Sequence, residues 1–371
     1  FDVNDRFRMG VAYRSKVSHN LKGTAKWQPA GAVVQVPAIA NYIQSPTTTT
    51  TATTALTLTF KPDGGHDIGA LPQGGKLQVL LVDDKGNHLV ASDYGIVGWA
   101  QARENKDAGS EAFPALETVA DKDVSAVIHY NPQLAEKRDD RYYFANEGED
   151  NPAIAGVPQP KKDGEDDYSE TRHRLLETAL KADGARYHVD CSPGVEGGPY
   201  CVLVPVSKTL PASDDGIFVP ENLTLPGNGY IYSDADDGNR YFRAREKWRI
   251  KDNDRENIEQ PYYYLGADTT YQGRWYQDES GEKEPENRAE PLKLTDRIGG
   301  DKTVAEVAPG SKITLVLVQQ RFVERAGEEL NYEDRIPAWI LVKTADGKTG
   351  WFNIGAGDGF PNIEGLHGFA G

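Results

Sequence analysis

Two cysteines are the first candidates for chemistry in this chain of 371 residues. Cys191 and Cys201 enclose a loop rich in glycine and proline, in which Gly197 and Gly198 permit a sharp return of the backbone. A pair at this spacing suits a disulfide bond, which stabilises a fold by about 2–3 kcal/mol when it closes a short loop. Disulfide bonds persist in oxidising compartments, so we expect a periplasmic or secreted protein.

Cys191 could instead act as a nucleophile. The segment Asp190–Ser192 resembles the Asp-Cys-Ser motif of the NlpC/P60 cell-wall peptidases, in which the cysteine lies at a helix N-terminus that favours the thiolate. This chain departs from the family because prolines and glycines follow the motif where the helix would begin. Other catalytic signatures, such as HExxH, GxSxG and a phosphate-binding loop, are missing from the sequence. We therefore predict no catalytic residue and no cofactor.

Aromatic residues after position 260 are the candidates for binding. The predicted binding residues are Tyr262, Tyr263, Tyr264, Tyr271, Trp275 and Tyr276. Tyrosine and tryptophan combine an apolar ring with a polar group, so an exposed cluster can stack on sugar rings or hold a peptide. The alternative interpretation is that the rings are buried in a core. Gly273 would then precede a buried tryptophan, Trp275, which has a structural role.

The elements that position these residues include an internal repeat. The segment Gly74–Val82 reads GGKLQVLLV and Gly310–Val318 reads GSKITLVLV, and each is followed by a Gly-Trp pair at Trp99 and Trp351. A self-similar unit of this kind constrains the architecture before any residue is assigned a role. Both copies predict a turn, an apolar strand, a hairpin and a further strand that begins at the Gly-Trp step.

This order of elements resembles a bacterial SH3-like domain over about 292–354 and about 61–102. The resemblance implies tandem small β-barrels that recognise a ligand between their loops, although the fold does not identify the ligand. The tight turns are predicted at Asp83–Asn87 and Ala345–Lys348, where Asp and Gly suit positive φ angles.

Residues 1–60 resemble a different family. The sequences YRSKV at 13–17, LKG at 21–23 and ALTLTF at 55–60 are similar to the FadL outer-membrane fatty-acid transporters. A transporter of that family closes a large barrel, which two or three strands cannot form. We expect an added strand segment with a Thr-rich loop, whose removal leaves residues 61–371 folded. Transport of hydrophobic compounds is kept as an alternative function.

Composition limits the partners. The formal net charge of −16 argues against nucleic-acid binding, which requires clustered Lys and Arg. No apolar run reaches the roughly 20 residues of a membrane helix, so we do not expect an integral membrane protein on its own. The segment Asp234–Asn239 begins like a calcium loop but lacks the closing glutamate, and no metal site is predicted.

We predict a mainly β chain with one short helix. That helix is expected at 169–181, with Ser169 as its N-terminal cap, and it should end at Asp183-Gly184, where glycine can adopt the left-handed C-cap conformation. The predicted domains are a FadL-like segment (1–60), an SH3-like module (61–135), a linker (136–168), a helix with a middle β module (169–290) and an SH3-like module with a Gly-rich tail (291–371).

The predicted function is binding without catalysis. The SH3-like modules are expected to recognise a cell-envelope polymer, such as peptidoglycan, or an envelope protein. The enzymatic alternative is a cell-wall hydrolase or secreted antibacterial effector that uses these modules for targeting. The sequence leaves the oligomeric state open.

Overall fold

A computed structural model describes residues 41–42, 49–144, 170–193, 200–207, 217–220, 222–235, 244–251, 254–276, 286–319, 339–354 and 360–364. In these residues the fold is mainly β, with twenty-six strands and a single 3-10 turn at Lys106–Ala108. A helix with the length and apolarity needed to cross a membrane does not occur in this part of the chain. The YRSKV and LKG sequences and the Gly-rich tail lie outside the described residues.

The first repeat unit is a seven-stranded sheet. Its strands are β1 (Asn41–Tyr42), β2 (Thr49–Thr51), β3 (Leu56–Lys61), β4 (Gly64–Leu71), β5 (Lys76–Val82), β6 (His88–Ser92) and β7 (Val97–Gln101). Strands β5, β6 and β7 form a meander, β7 pairs with β3, and both β1 and β2 pair with β5. The predicted turn between β5 and β6 is confirmed, because Gly86 has φ +82 and its N–H donates to the Asp83 carbonyl at 3.0 Å.

The part of the chain between the two repeat units forms two further sheets, which pack face to face. Their strands are β8 (Glu117–Asp121), β9 (Ala126–Tyr130), β10 (Ala135–Phe144), β11 (Glu170–Ala179), β12 (Arg186–Ser192), β13 (Tyr200–Pro205), β14 (Ile217–Pro220), β15 (Asn222–Leu225), β16 (Ile231–Ala235), β17 (Ala244–Lys251) and β18 (Asp254–Asn257). Strands β10 to β14 form one sheet in chain order, and the other sheet runs β18-β17-β16-β15-β9-β8. Their inner faces share one apolar core, as expected for a β-sandwich.

The second repeat unit is an eight-stranded sheet. Its strands are β19 (Tyr263–Tyr276), β20 (Glu286–Arg288), β21 (Leu292–Thr295), β22 (Thr303–Val307), β23 (Ser311–Gln319), β24 (Trp339–Thr344), β25 (Thr349–Asn353) and β26 (Phe360–Ile363). The strand order is β20-β19-β23-β24-β25-β21-β22, and β26 pairs with β19. In the described residues neither repeat sheet closes into a barrel, so the SH3 resemblance stays a prediction.

The predicted disulfide bond is confirmed. Cys191 on β12 and Cys201 on β13 are directly opposed, with Cα atoms 4.0 Å apart, and they are bonded through their sulfur atoms. Both residues are fully buried in the core of the sandwich. The bond therefore joins two neighbouring strands inside the core.

The predicted helix at 169–181 is wrong, because residues 170–179 form strand β11. β11 lies between β10 and β12, so a neighbouring strand binds its backbone on each side. Nearly every residue from Arg172 to Leu180 is buried, including Arg174, whose guanidinium binds the Asp190 carboxylate at 2.9 and 3.2 Å. A strand that is buried on both faces has no alternation of apolar and polar residues. Tertiary packing overrode the local helical pattern.

The internal repeat is present in the pairing of the strands. In the first unit a row of opposed residues crosses four strands through Leu81, Leu89, Trp99 and Thr59. In the second unit the equivalent row is Leu317, Leu341, Trp351 and Thr295. The register shifts at matching positions in both units, and each threonine hydroxyl donates to the carbonyl of its tryptophan, at 3.2 and 3.1 Å. Trp99 and Trp351 therefore occupy equivalent positions.

These equivalent rows pack against each other. Trp99 and Trp351 are 1% and 3% exposed and belong to one apolar cluster that contains side chains of both units. Tyr262 lies in the same cluster, with its ring centroid 5.8 Å from that of Trp351. The Gly-Trp tryptophans thus form a core between the two units and are not available to a ligand.

Several strands cross the predicted domain boundaries. β3 contains Leu56–Phe60 of the ALTLTF sequence, which is predicted to belong to residues 1–60, yet it pairs with β4 and β7 inside the first unit. β8 and β9 belong to the sandwich, and β10 occupies the beginning of the predicted linker. β19 and β20 belong to the second unit, although the sequence predicts them in the middle module. The two repeat units therefore span about 41–101 and 263–363.

Candidate functional site

The predicted aromatic cluster is divided between core and surface. Tyr262, Tyr263 and Tyr271 are buried, so the core interpretation applies to these three. Tyr264 is half-buried and packs against the cluster between the repeat units. Trp275 is 40% exposed and Tyr276 is half-buried, and both lie at the end of the long strand β19. The surface interpretation therefore applies to this end of β19.

The end of β19 is held between two short strands. Trp275 is opposite Asn287 of β20 on one side and Phe360 of β26 on the other. Gly273, with φ +125, allows β20 to come close, because a Cβ there would lie 2.4 Å from the Arg288 carbonyl oxygen. Backbone pairing on both sides fixes the strand, so the exposed indole is presented on a rigid element.

Polar and charged groups surround this aromatic end. The Arg288 guanidinium lies 4.1 Å from the Tyr276 ring centroid, a cation–π contact. The Tyr276 hydroxyl donates to Glu290 Oε2 at 2.8 Å, and this hydrogen bond raises the pKa of Tyr276. The Tyr271 hydroxyl donates to the Glu290 carbonyl at 2.7 Å, and burial raises its pKa. Both phenols therefore remain neutral near pH 7, and the surface combines an apolar ring with hydrogen-bonding groups.

A polar groove lies farther along the same sheet. Its volume is about 660 Å³, within the range of ligand-binding clefts, and it crosses β19, β23 and β24. Cross-strand pairing places Asp268, Thr314 and Lys343 in one row, with Thr270 opposite Lys312. The Thr314 hydroxyl donates to Asp268 Oδ1 at 2.6 Å. The groove thus combines hydroxyl groups with charges of both signs. The sequence interpretation missed these residues, although aligning the two repeats residue by residue would have drawn attention to them.

Asp121, Asp123 and His173 are the one group in the described chain whose ligand atoms lie close enough to hold a metal ion, within 4.8 Å of one another. Arg141 already forms ion pairs with both carboxylates, at 2.7 Å from Asp123 and 3.6 Å from Asp121. Burial alone would raise the pKa of Asp121, but its hydrogen bonds with His173 and the Asp123 N–H, together with Arg141, hold it below the ordinary value. This group is an ion-pair network that joins β8 to β10 and β11.

The cysteine motif does not offer a nucleophile. The Cys191 sulfur is part of the disulfide bond, and the neighbouring Asp190 carboxylate is bound by Arg174. A thiolate is needed for nucleophilic attack, and a fully buried disulfide provides none. Cys191 therefore lacks the free thiol of the catalytic cysteine in NlpC/P60 peptidases.

Comparisons with known proteins give one short match. Over 35 residues the chain is 60% identical to a protein of Neisseria meningitidis serogroup B that bears the provisional name of an outer membrane protein. The match covers 9% of this chain and 8% of that relative, so the chain spans a small part of the relative's length. No protein-family profile matches the chain. No solved structure matches it either.

Proposed function

We propose that this chain is a non-catalytic binding protein of the bacterial cell envelope, periplasmic or secreted, which recognises an envelope polymer through its second repeat unit. The observation that carries this proposal is the exposed indole of Trp275 on a strand held on both sides. An exposed ring with hydrogen-bonding neighbours suits stacking on a sugar, as aromatic anchors do in other interfaces.

Two observations support a location in the cell envelope. A buried disulfide bond is typical of proteins that fold in an oxidising compartment. The short match to a protein named as belonging to the outer membrane points the same way. The SH3-like resemblance of both repeat units favours a targeting or recognition role, and peptidoglycan is the polymer that we propose as the ligand.

Co-sedimentation with purified peptidoglycan tests the proposal. We expect the full chain to be retained and Trp275→Ala to be retained about tenfold less strongly, the loss typical of an anchoring aromatic residue. Val206→Ala is the matched control, because Val206 is 39% exposed on the sandwich and should not affect retention. Thermal melting of each variant checks that the fold is unchanged.

The same samples separate binding from the alternatives. Muropeptide analysis of the supernatant should show no released fragments, whereas their release would support the hydrolase alternative. Failure of the wild-type chain to sediment, or equal retention of Trp275→Ala and the wild type, would contradict the proposal.

A further inference from the structure

The two faces of the sheet at the end of β19 carry different groups. Neighbouring residues along a strand point to opposite faces, and residues directly opposite on paired strands point to the same face. Trp275 therefore shares one face with Asn287 of β20. The residues on either side of it, Arg274 and Tyr276, point to the other face. The exposed indole thus has an uncharged carboxamide as its neighbour across β20.

The charged groups on the other face interact with one another. The Arg288 guanidinium lies 3.3 Å from Glu286 Oε2 and 4.1 Å from the centroid of the Tyr276 ring. The Tyr276 hydroxyl donates to Glu290 Oε2 at 2.8 Å. This hydrogen bond raises the pKa of Tyr276, and the positive charges of Arg274 and Arg288 oppose the rise. Two arginines and two glutamates therefore balance one another on the side away from the indole.

The Asn287 carboxamide is held in place beside Trp275. Its Nδ2 donates to the Gln272 carbonyl at 3.1 Å, which orients the amide group. Its Oδ1 lies over Gly273, where an added Cβ would be 2.9 Å away from it. The side chain is exposed, and no residue that the structure describes donates to Oδ1. A hydrogen-bond acceptor is therefore presented to solvent next to the indole.

The distance between these two side chains suits one sugar ring. Residues directly opposite on antiparallel strands have Cβ atoms about 4.5–5.5 Å apart, a distance similar to the width of a pyranose ring. A pyranose that stacks on the Trp275 indole can therefore direct a ring substituent towards Asn287 Oδ1. A carbonyl oxygen only accepts, so this substituent must be a donor. An acetamido group supplies an N–H for Oδ1 and a methyl group for the apolar ring, whereas a hydroxyl group supplies the donor alone.

We propose that Trp275 and Asn287 bind an uncharged N-acetylated amino sugar, which stacks on the indole and donates its amide N–H to Asn287 Oδ1. The inference rests on the proposed function and deepens it, because it assigns recognition to the glycan part of the polymer and specificity to Asn287. The formal net charge of −16 disfavours anionic ligands and is consistent with an uncharged sugar.

Ligand-observed NMR titration of the full chain with chitotriose and with cellotriose tests the proposal. These trisaccharides differ at C2, where chitotriose has acetamido groups and cellotriose has hydroxyl groups. We expect the wild type to bind chitotriose about tenfold more tightly, the ratio that one additional hydrogen bond gives. Asn287→Ala should weaken chitotriose binding about tenfold and change cellotriose binding less than about twofold. Trp275→Ala should weaken binding of both, since both stack on the indole.

Thr303→Ala is the matched control, because Thr303 is exposed on β22, at the opposite edge of the same sheet. It should leave binding of both trisaccharides unchanged, and thermal melting checks that each variant is folded. Equal binding of the two trisaccharides by the wild type, equal losses of both in Asn287→Ala, or no binding of either would overturn the inference.

The proposed function and this inference can fail separately. If the chain sediments with peptidoglycan through Trp275 but does not distinguish the two trisaccharides, the inference on Asn287 is wrong and the proposed function stands. If the chain prefers chitotriose but does not sediment with peptidoglycan, the proposed polymer is wrong and the sugar site stands.

Discussion

The Lys247 ammonium group lies 2.7 Å from Glu111 Oε1, and both side chains are fully buried where the first repeat sheet meets the sandwich. Lys247 Nζ also donates to the carbonyl oxygens of Ile68 and Ala108, at 2.7 and 2.6 Å. The Tyr232 hydroxyl donates to the same carboxylate oxygen at 2.9 Å. Burial lowers the pKa of Lys247, and the Glu111 carboxylate opposes this shift. The pair is fully hydrogen-bonded and therefore holds two parts of the fold together.

Removing the ammonium group should be strongly destabilising. We expect Lys247→Met to lower the free energy of unfolding by about 3–5 kcal/mol, because it leaves the Glu111 carboxylate buried without a counter-ion. Equilibrium urea unfolding measures the change. The double variant Lys247→Met with Glu111→Gln should recover part of the loss, since it removes the buried charge. A loss below about 1 kcal/mol in the single variant would show that water reaches the pair.

The core between the repeat units should couple Trp99 and Trp351. Each substitution to alanine is expected to cost about 3–5 kcal/mol, because a large buried side chain is removed. Since both rings line one cluster, the double variant should cost less than the sum of the single variants. Urea unfolding of the two single variants and the double variant gives the coupling free energy between the two side chains. Trp275→Ala, at an exposed position, should change the stability by no more than about 0.5 kcal/mol. Strict additivity would indicate that the units do not share a core.

Strand β3 should be essential for the first repeat unit. A chain that begins at residue 61 lacks β3, whose Thr57, Leu58 and Thr59 are fully buried between β4 and β7. We expect this chain to lose its cooperative thermal transition, whereas a chain that begins at Asn41 should keep it. Circular dichroism on heating compares the two. Similar melting curves would instead support the domain boundary after residue 60 that the sequence suggested.

The network around Asp121 should make stability depend on pH in the acid range. The pKa of Asp121 is below its ordinary value of 3.8 in the folded state, so the unfolded chain takes up the proton first. Its contribution is full above pH 3.8 and is lost as the pH falls through the lower, folded-state pKa. We expect Asp121→Asn to cost about 1.5–3 kcal/mol at neutral pH, and less in acid.

Asp123→Asn is the control for this experiment, because Asp123 is exposed and surface ion pairs contribute about 0–1 kcal/mol. Urea unfolding at neutral pH and below pH 3.8 gives the loss in unfolding free energy that each variant causes relative to the wild type. A cost of Asp121→Asn that stays constant through the acid range would contradict the assignment.

Local signals in the sequence predicted local structure correctly. The turns at Gly86 and Gly347 are present, with φ +82 and +83, because glycine adopts a positive φ at no steric cost and needs no help from distant residues. The disulfide bond between Cys191 and Cys201 follows from their short separation. The repeat was visible because equivalent strands need the same apolar residues at the same spacing.

Tertiary structure decided which faces are buried, and this could not be read from the sequence. Leu175 and Leu176 lie in the segment that the sequence predicts as a helix, yet they are buried in a strand that pairs with a neighbouring strand on each side. Trp351 and Trp275 each follow a glycine closely in the sequence, but Trp351 is buried in the cluster that contains side chains of both repeat units, whereas Trp275 is exposed. Lys343 and Ala91 share one position in the repeat and differ in exposure for the same reason. The sequence therefore encodes the repeat unit locally, whereas packing between the units determines which of its residues stay exposed.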